Sequence, residues 1–325
     1  MKISVIGAGG WGTTLANITA EKGNKVNLWA LEKEVAKDIK EKRQNSQFLP
    51  GAKLSGNIEP TNELKEAVSD ADILLVVVPS EFLRRTAKEM AKYIKKGAIV
   101  VSATKGLEEG TSKRMSEILK EELGDIKIAA LSGPNHAEEV IRKIPTATVI
   151  ASKHQDILPK IKSLLDTEYF KVYSHDDIIG IEICGAIKNI TAIAVGVCDG
   201  LKLGDNTKAS IITLGLTEMS RVGKLAGANR ATFYGLAGVG DLVATCTSKH
   251  SRNRFVGERI AEGKSFEDIK KEMHGMVAEG IKTTKAVYEL AKKNNIDLPL
   301  TTQVYKVLYE KKELKKAIKD LITLI

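Results

Sequence analysis

The first half of the chain alternates short apolar runs with amphipathic stretches. Residues 2–6 are rich in β-branched side chains and predict a buried strand, and the apolar stretch 13–20 predicts a helix. A continuous apolar run at 73–78 is typical of a central strand in a parallel sheet, and 81–95 predicts a helix. Further strands are predicted at 25–30, 98–102, 127–131, 146–151 and 170–173. This alternation predicts an α/β fold, a Rossmann-like doubly wound parallel sheet with right-handed crossovers.

The pattern changes near residue 176, beyond which helical periods dominate to residue 325. We therefore predict a sheet domain over 1–176 and an all-helical domain over 177–325, packed directly on each other because no long Pro/Gly/Ser linker separates them. The apolar stretch 178–197 is long enough to span a membrane, but it contains Glu182, Lys188 and Asn189. A charge near the centre of a spanning helix costs about 2.5–3.5 kcal/mol. A buried helix, without stable membrane insertion, is therefore the better interpretation.

A glycine-rich turn joins the first strand to the first helix. Gly7, Gly9 and Gly12 follow the G-x-G-x-x-G spacing. The first permits the tight turn, the second lets a pyrophosphate approach the backbone, and the third lets the helix pack close to the strand. The helix N-terminus adds unpaired N–H groups and a positive dipole end. The turn predicts a dinucleotide site, with Glu32 near the position of a ribose-binding acid; a turn without a ligand is the alternative.

Ligands of doubly wound sheets bind beyond the carboxyl ends of the strands. Gly7, Pro79, Lys105 and Gly133 all follow predicted strands at such ends. We expect them to line one crevice.

Composition narrows the class of protein. The 325 residues are 43% hydrophobic and 28% charged, as in ordinary soluble globular proteins. Three widely spaced cysteines without a C-x-x-C, and a chain that enters its first strand without a signal peptide, favour the cytoplasm. The net charge of +9 invites a nucleic-acid partner, but lysine and glutamate are interleaved and aromatic residues make up only 5%. A modest basic excess also suits an anionic small substrate, and we predict no nucleic-acid partner.

Two polar clusters carry candidate chemistry. Carbonyl reduction with a nicotinamide cofactor requires a proton donor, and Lys188 is the candidate because its apolar surroundings should lower its pKa. Asp241, in a glycine-bracketed loop, could orient this lysine and keep it protonated; a lysine that extends to solvent is the alternative. The segment 245–254 combines hydroxyls, amides and the guanidinium of Arg252, and suits a phosphate, although a solvated loop is also possible. His136 and His250 lack metal-ligand spacing, so no metal site is predicted.

Six motifs occur in order along the chain, at 7–16, 105–108, 132–137, 185–189, 237–242 and 251–254. On these motifs the chain resembles, over essentially its full length, the bacterial and archaeal NAD(P)-dependent sn-glycerol-3-phosphate dehydrogenases. The resemblance implies a Rossmann N-terminal domain, an all-helical C-terminal domain and a homodimer. It implies reversible hydride transfer between NAD(P)H and C2 of dihydroxyacetone phosphate, with the product glycerol 3-phosphate used in glycerophospholipid synthesis.

The resemblance also implies functional residues. Lys188 matches the proton donor and acceptor, and we pair Asp241 with it as a catalytic residue. The matched substrate contacts are Lys105, Gly133, Asp241, Ser251, Arg252 and Asn253. We add three neighbours from the same motifs or the adjoining cluster as candidate substrate contacts, namely Asn135, Asn189 and Thr245. The matched cofactor contacts are Gly10, Trp11, Lys105, Ala137, Arg252 and Glu279. The residue pattern itself adds Gly7, Gly9, Gly12, Glu32 and Pro79, and comparison with the family pattern adds Leu31.

Two positions depart from the family pattern. Leu31, followed by Glu32, stands where many bacterial members carry an arginine that suits the 2′-phosphate of NADP. A carboxylate there repels that phosphate and can accept hydrogen bonds from ribose hydroxyls, which favours NAD, although Lys33 could still support NADP. Asn135 replaces a frequent serine, and we expect little effect of it on the reaction.

Two other functions are compatible with parts of the pattern. A dehydrogenase of a β-hydroxy acid or of ketopantoate would share the sheet domain and the lysine on the long helix, and would differ in the anion that it binds. A non-catalytic NAD-binding sensor or nucleic-acid partner would use the net charge of +9. It predicts that Lys188→Ala leaves function intact and that DNA binding weakens steeply with salt.

Overall fold

The computed structural model describes residues 1–273 and 275–323, and the chain forms two compact units. The sheet unit consists of Met1–Thr104 and Met115–Ile178, and the helical unit of Lys105–Arg114 and Ile179–Ile325. The segment Lys105–Arg114 lies inside the predicted sheet domain in sequence, but its contacts group it with the helical unit. Sequence order alone could not show this excursion.

The sheet unit is built on eight strands in the order β3-β2-β1-β4-β5-β6-β7-β8. The strands are β1 Ile3–Ile6, β2 Val26–Trp29, β3 Ile58–Thr61, β4 Ile73–Val76, β5 Ile99–Ser102, β6 Lys127–Ser132, β7 Thr146–Ser152 and β8 Phe170–His175. The first six follow the order 3-2-1-4-5-6 of dinucleotide-binding folds. The predicted α/β class with a Rossmann-like sheet is confirmed.

Two details of the sheet differ from the prediction. β3 was missed, because Ile58 is its only fully buried residue and Pro60 interrupts the run. β7 pairs with β6 in antiparallel fashion, whereas the prediction made the whole sheet parallel. The connection between β6 and β7 holds only the four-residue helix Ala137–Val140 and no crossover helix, so β7 runs back beside β6.

Alternating side chains of the strands feed two cores, one on each face of the sheet. Ile3 and Val5 of β1 pack into one core with Leu15, whereas Ile6 faces the other core with Leu83. This arrangement explains the continuous apolar runs, because strands covered on both faces have no polar side. The helices of the sheet unit are α1 Gly10–Glu21, α2 Lys33–Lys42, α3 Leu64–Val68, α4 Ser80–Ala91, α5 Met115–Leu123, α6 Ala137–Val140 and α7 Leu158–Leu165.

The helical unit contains no strand among its described residues. Its helices are α8 Ile178–Gly200, α9 Gly204–Ala226, α10 Asp241–Thr247, α11 Arg252–Ala261, α12 Phe266–Glu272, α13 Glu279–Asn294, α14 Pro299–Glu310 and α15 Leu314–Ile322. In the described part of the chain, α8 alone is long and apolar enough to cross a membrane, and 94% of its most apolar window is buried inside the protein. That burial is the pattern of a core helix.

Helices α8 and α11 cross with their backbones in close contact. A Cβ at Gly196 would lie 1.9 Å from the carbonyl oxygen of Arg254, and one at Gly257 would lie 2.0 Å from that of Ile193. Any side chain at either position would force the two helices apart. The crossing therefore fixes the start of α11 beside the middle of α8, where the polar residues of the apolar stretch lie.

Candidate active site

The glycine turn of the sheet unit has the geometry of a dinucleotide loop. Gly7 has φ +114°, a conformation that L side chains rarely adopt, and a Cβ at Gly12 would lie 1.9 Å from the Gly7 carbonyl oxygen. A Cβ at Gly9, in contrast, would meet nothing within 4 Å. Gly7 and Gly12 are thus required by the protein's own packing, whereas Gly9 leaves open space that a pyrophosphate can approach.

A buried asparagine that the sequence did not single out braces this turn. The amide nitrogen of Asn45 donates to the Ala8 carbonyl and to Thr13 Oγ1, both at 2.8 Å, and its Oδ1 accepts from Phe48 N at 3.1 Å. A Cβ at Gly10 would lie 2.8 Å from the Phe48 carbonyl oxygen. Asn45 therefore holds the turn after α2 against the glycine loop, and no motif could have revealed it.

Trp11 supplies an observation that tests whether this loop fits a cofactor. Its indole packs edge-on against Phe170, with ring centroids 6.0 Å apart. The indole Nε1 is buried, and it has no hydrogen-bond partner within residues 1–273 and 275–323. A buried donor without a partner is costly, and here it lies in the loop predicted to hold a dinucleotide. The loop thus fits a ligand that brings its own acceptor.

The other predicted positions of the sheet unit lie just after strands. Leu31 is 59% exposed, and Glu32 immediately precedes α2. Pro79 immediately precedes α4, Ala137 begins α6, and Gly133 turns with φ +150°. All five follow the carboxyl ends of β2, β4 or β6 and share that edge of the sheet.

The amide of Asn135 is already used within the sheet unit. Its Nδ2 donates to the Ala147 carbonyl at 3.3 Å, and its Oδ1 accepts from Thr148 Oγ1 at 3.0 Å. These bonds tie the turn after β6 to β7. A positioning role of Asn135 in the turn is therefore the interaction that the structure provides for its side chain.

In the helical unit, two ammonium groups meet one buried carboxylate. Lys188 Nζ lies 2.8 Å from Asp241 Oδ1, and Lys105 Nζ lies 2.7 Å from Asp241 Oδ2. Lys188 also donates to Thr245 Oγ1 at 2.6 Å, and Thr245 Oγ1 lies 3.2 Å from Asp241 Oδ1. Lys188, Asp241 and Thr245 are 5%, 2% and 2% exposed. We call these four residues the lysine–carboxylate cluster.

The cluster sets the protonation of its members. Burial lowers the pKa of Lys188 to about 8, with the Lys105 charge acting in the same direction and the Asp241 carboxylate opposing both. Burial opposes ionisation of Asp241, yet the two ammonium groups hold its pKa below the ordinary value. At neutral pH Lys188 therefore carries a proton, and releases it more readily than an ordinary lysine.

Asp241 is presented by an unusual backbone element. The glycine-rich stretch predicted as a loop forms a π-helical turn over Leu236–Gly240, and Asp241 begins α10 directly after it. A Cβ at Gly238 would lie 2.0 Å from the Phe233 carbonyl oxygen, so the turn packs too tightly for a side chain. π-helical turns often occur at functional sites. Thr245 follows Asp241 by one helical turn, which places both on the face of α10 toward Lys188.

A chain of amides connects three helices next to the cluster. Asn189, which follows Lys188 on α8, accepts from Asn253 Nδ2 at 2.9 Å, and Asn253 Oδ1 accepts from Gly280 N at 2.8 Å. A Cβ at Gly280 would lie 2.7 Å from both the Asn189 carbonyl oxygen and Asn253 Oδ1. Gly280 is therefore a site residue that the sequence analysis missed, and it fixes the neighbouring Glu279 at the start of α13.

Arg252 begins the ten-residue helix α11 and is exposed. The preceding Ser251 caps this helix, because its Oγ accepts from Arg254 N at 3.3 Å. A helix N-terminus carries unpaired N–H groups and a positive dipole end. Together with the exposed guanidinium beside it, this helix start can bind an anion. The segment 245–254, for which a solvated loop was the alternative to a phosphate site, comprises the end of α10, a turn over 248–251 and the capped start of α11.

The structure groups the predicted site residues by unit. The glycine loop and the positions after β2, β4 and β6 belong to the sheet unit, including Gly133 and Asn135, which were predicted to bind substrate. Lys105, Arg252 and Glu279, predicted to bind cofactor, belong to the helical unit with Lys188 and Asp241. Within the described residues, no group of three His, Cys, Asp or Glu could hold a metal ion.

Two family models match this chain, one in its N-terminal part and one in its C-terminal part. Residues 2–158 match the family model of the NAD-dependent glycerol-3-phosphate dehydrogenase N-terminus, and residues 177–319 match that of its C-terminus. Glycerol-3-phosphate dehydrogenase [NAD(P)+] of Citrifermentans bemidjiense is 46% identical, and covers 99% of this chain and 97% of its own length. The enzyme of that name from Chlorobium limicola is also 46% identical, over 99% and 98%.

Solved structures agree. The crystal structure of glycerol-3-phosphate dehydrogenase from Coxiella burnetii is 38% identical with a TM-score of 0.96, and covers 99% of this chain and 98% of that one. A ketopantoate reductase from Ralstonia eutropha is 16% identical with a TM-score of 0.64, covering 98% of this chain and 99% of that one, and shows a shared fold alone. The chain therefore belongs to the NAD-dependent glycerol-3-phosphate dehydrogenase family.

Proposed function

We propose that the protein catalyses reversible hydride transfer between NAD(P)H and C2 of dihydroxyacetone phosphate, giving sn-glycerol 3-phosphate. The observation that carries the proposal is the lysine–carboxylate cluster, in which a nearly buried ammonium is held 2.8 Å from an ionised carboxylate. Ketone reduction requires a proton donor at the carbonyl oxygen, and a lysine whose pKa lies near the working pH suits this step. Family membership supports the same reaction.

In this proposal Lys188 is the general acid of the reduction and the general base of the reverse reaction. The nicotinamide, when bound, supplies the hydride that reaches C2. The proton moves from Lys188 Nζ to the carbonyl oxygen, which becomes the C2 hydroxyl. With the pKa of Lys188 at about 8, the group is mostly protonated at neutral pH and is still an adequate acid.

Asp241 and Lys105 tune and orient the donor. Asp241 accepts from Lys188 on one oxygen and from Lys105 on the other, so its carboxylate fixes both ammonium groups. Thr245 Oγ1 accepts a second hydrogen bond from Lys188 at 2.6 Å. Two of the three N–H donors of Lys188 are thereby directed within the protein, which leaves one to meet the substrate oxygen.

For the phosphate group we propose the start of α11. Arg252 offers a planar pair of N–H donors that matches a phosphate, and the first turn of α11 adds backbone N–H groups. Asn253 is held by Asn189 and Gly280, so the backbone beside Arg252 is fixed before a ligand arrives. Binding energy from the phosphate can then position the carbonyl at Lys188.

For the cofactor we propose that the glycine loop holds the pyrophosphate and that NADH is preferred over NADPH. Glu32 follows β2 at the position that meets the adenosine ribose in this fold, and its carboxylate repels a 2′-phosphate. Leu31 offers no charge to offset that repulsion. Trp11 Nε1 is a donor that a bound dinucleotide could satisfy.

We also propose that the active form is a cytoplasmic homodimer, as the family resemblance implies. Light scattering after size exclusion should give twice the chain mass of 35.3 kDa. A mass of one chain at micromolar concentration would contradict this assembly.

The experiment that tests the function measures NADH oxidation at 340 nm with dihydroxyacetone phosphate. The comparison arms are NADPH, unphosphorylated dihydroxyacetone and ketopantoate. We expect fast turnover of the phosphorylated ketone alone, with a higher kcat/KM for NADH than for NADPH at equal ionic strength. Turnover of ketopantoate without turnover of dihydroxyacetone phosphate would replace the proposed substrate.

A variant assay assigns the phosphate site. Arg252→Ala should raise KM for dihydroxyacetone phosphate and lower kcat together, because the phosphate contact also positions the carbonyl. The loss of kcat/KM should be larger with dihydroxyacetone phosphate than with unphosphorylated dihydroxyacetone. Arg230→Ala, at an exposed arginine of the same unit, is the matched control. An equal loss with both ketones would remove Arg252 from the phosphate role.

A further inference from the structure

We propose that the segment Lys105–Arg114 is a strap that positions Lys105 in the lysine–carboxylate cluster, and that Arg114, Glu182 and Glu109 are positioning residues for catalysis. The strap is the part of the chain between β5 and α5 that belongs to the helical unit. The inference rests on the proposed function, because it concerns the same proton-transfer site.

The strap is fastened at its two ends by ion pairs of low exposure. At one end, Lys105 Nζ lies 2.7 Å from Asp241 Oδ2, and the two side chains are 17% and 3% exposed. At the other end, Arg114 Nη1 lies 2.6 Å from Glu182 Oε2, with side chains 12% and 5% exposed. Exposed ion pairs are worth little, but breaking a buried one leaves an uncompensated charge. Both ends are therefore held firmly.

Its own hydrogen bonds close the strap into a compact loop. Leu107 and Arg114 form an isolated antiparallel bridge, and Glu108 N donates to the Lys113 carbonyl at 3.0 Å. Displacement of Arg114 is thus transmitted across the bridge to the residues that follow Lys105. The loop behaves as one piece, with the two ion-paired cations at its ends.

The middle of the strap is held by helix α13. Glu109 is paired with Lys285, and Lys282 Nζ lies 3.6 Å from its other carboxylate oxygen. Ser112 Oγ donates to the Ala286 carbonyl at 3.1 Å. These contacts are more exposed than the two end pairs, so they align the strap and contribute less to holding it.

The anchor of Arg114 explains why this arrangement serves catalysis. Glu182 lies on α8, the helix that carries Lys188, six residues and about 9 Å along the axis before it. The strap therefore places Lys105 relative to the same helix that presents the proton donor.

The Lys105 charge lowers the pKa of its neighbour Lys188. The groups that face Lys188 are the Asp241 carboxylate, the Lys105 ammonium, the Thr245 hydroxyl and the Cys246 thiol. If the strap loosens and Lys105 moves away, the Asp241 carboxylate pairs with Lys188 alone, and the repulsion between the two ammonium groups falls. Both changes raise the pKa of Lys188, so the pH at which reduction is lost should rise.

The test is a double variant, Arg114→Met with Glu182→Gln, which removes both charges of this ion pair together. We expect kcat for reduction of dihydroxyacetone phosphate to fall about 10- to 100-fold, as small misplacement of catalytic groups does. The basic limb of the kcat profile should move to higher pH. The conservative variant Arg114→Lys, with Glu182 unchanged, keeps a cation beside Glu182. Its kcat and the position of its basic limb should therefore be closer to those of the wild type than to those of the double variant.

The matched control is Glu218→Gln, because Glu218 is a buried carboxylate of the same unit outside the cluster and the strap. It accepts hydrogen bonds from Leu300 N and Thr301 N at the start of α14. The control should lower Tm while kcat and the basic limb stay in place. An equal shift of the limb in this control would mean that general loosening is the cause, and would overturn the proposal.

The outcomes separate the strap from the proposed function. Wild-type protein that does not turn over dihydroxyacetone phosphate would refute the function. A second result is that the wild type is active while the double variant has the same kcat and the same basic limb as the wild type and differs only in Tm. That result would overturn the proposal for the strap and leave the proposed function standing. If the double variant does not fold, Lys282→Met with Lys285→Met loosens the strap from its exposed side. It should give a smaller loss of kcat with the same upward move of the limb, and an unchanged limb would again overturn the proposal.

Discussion

The glycine loop of the sheet unit and the lysine–carboxylate cluster of the helical unit are built in opposite ways. The loop is made of backbone: Gly7 and Gly12 fit only because they lack a Cβ, and Gly9 leaves space for a ligand. The cluster is made of side chains, with Lys188 and Asp241 almost fully removed from water and the Lys105 side chain 17% exposed. One region presents neutral dipoles, and the other presents charges whose protonation can change.

The difference explains what each region can do. Backbone N–H groups do not titrate, so the loop can hold a phosphate with the same geometry at any working pH. Buried charges are costly, and they are retained here in an arrangement where each ammonium group has a carboxylate oxygen within 2.8 Å. The cost of burying these charges is consistent with a catalytic role of the cluster, because burial also lowers the pKa of Lys188 to about 8.

The largest expected effect breaks the cluster and leaves the loop intact. Lys188→Met should lower kcat by about 10²- to 10⁴-fold, the usual contribution of a general acid, while the Kd of NADH stays unchanged. Steady-state kinetics measures kcat, and an NADH fluorescence titration measures the Kd of NADH. Lys224→Met, at an exposed lysine near the end of α9, is the control and should change neither. A Lys188→Met enzyme with normal kcat would remove this residue from proton transfer.

The second prediction breaks the loop and leaves the cluster intact. Gly9→Ala adds a methyl group where the protein has nothing within 4 Å, so Tm should stay unchanged. The same methyl group crowds a bound pyrophosphate and should cost about 1–3 kcal/mol of NADH affinity. Gly56→Ala also has open space around its Cβ, and should alter neither quantity. Equal NADH affinity in Gly9→Ala and wild type would show that no ligand approaches this position.

The smallest predicted effect sharpens the description of the sheet unit. Leu31→Arg places a guanidinium after β2, where it can pair with a 2′-phosphate, and should raise the NADPH/NADH ratio of kcat/KM about tenfold. Leu31→Met is the control, because it keeps the side chain apolar, and should leave the ratio unchanged. If the ratio does not rise in Leu31→Arg, this edge of the sheet does not meet the adenosine ribose.

The two regions were also predictable to different degrees. The glycine loop follows from local sequence, because a strand, three spaced glycines and a helix lie within about twenty residues. Lys188 and Asp241 stood out as charges in apolar or glycine-rich surroundings, but their distance of 2.8 Å depends on the packing of α8 against α10. The strand pattern placed Lys105 at a ligand-binding edge, family resemblance gave it a substrate and cofactor role, and only the structure shows its contact with Asp241.

The residues that sequence reasoning missed act through packing. Gly196, Gly257 and Gly280 matter because another backbone or side chain lies where their Cβ would be, and that neighbour is remote in sequence. Asn45 carries no motif, and Arg114 looked like one basic residue among many. Strand β3 was missed for a local reason, since Pro60 and a single buried residue give it no apolar alternation. Long-range contacts leave no periodic trace in one sequence.

The most direct test of the central claim is the pH dependence of kcat for reduction of dihydroxyacetone phosphate, measured in wild type and in Lys105→Met. Lys188 must be protonated to donate, so wild-type kcat should be highest below about pH 8 and fall as pH rises through that value. Removing the Lys105 charge should lower kcat and move this limb to higher pH, because that charge lowers the pKa of Lys188. A wild-type profile without a basic limb, or a limb that stays in place in Lys105→Met, would contradict the assignment of the lysine–carboxylate cluster as the proton donor.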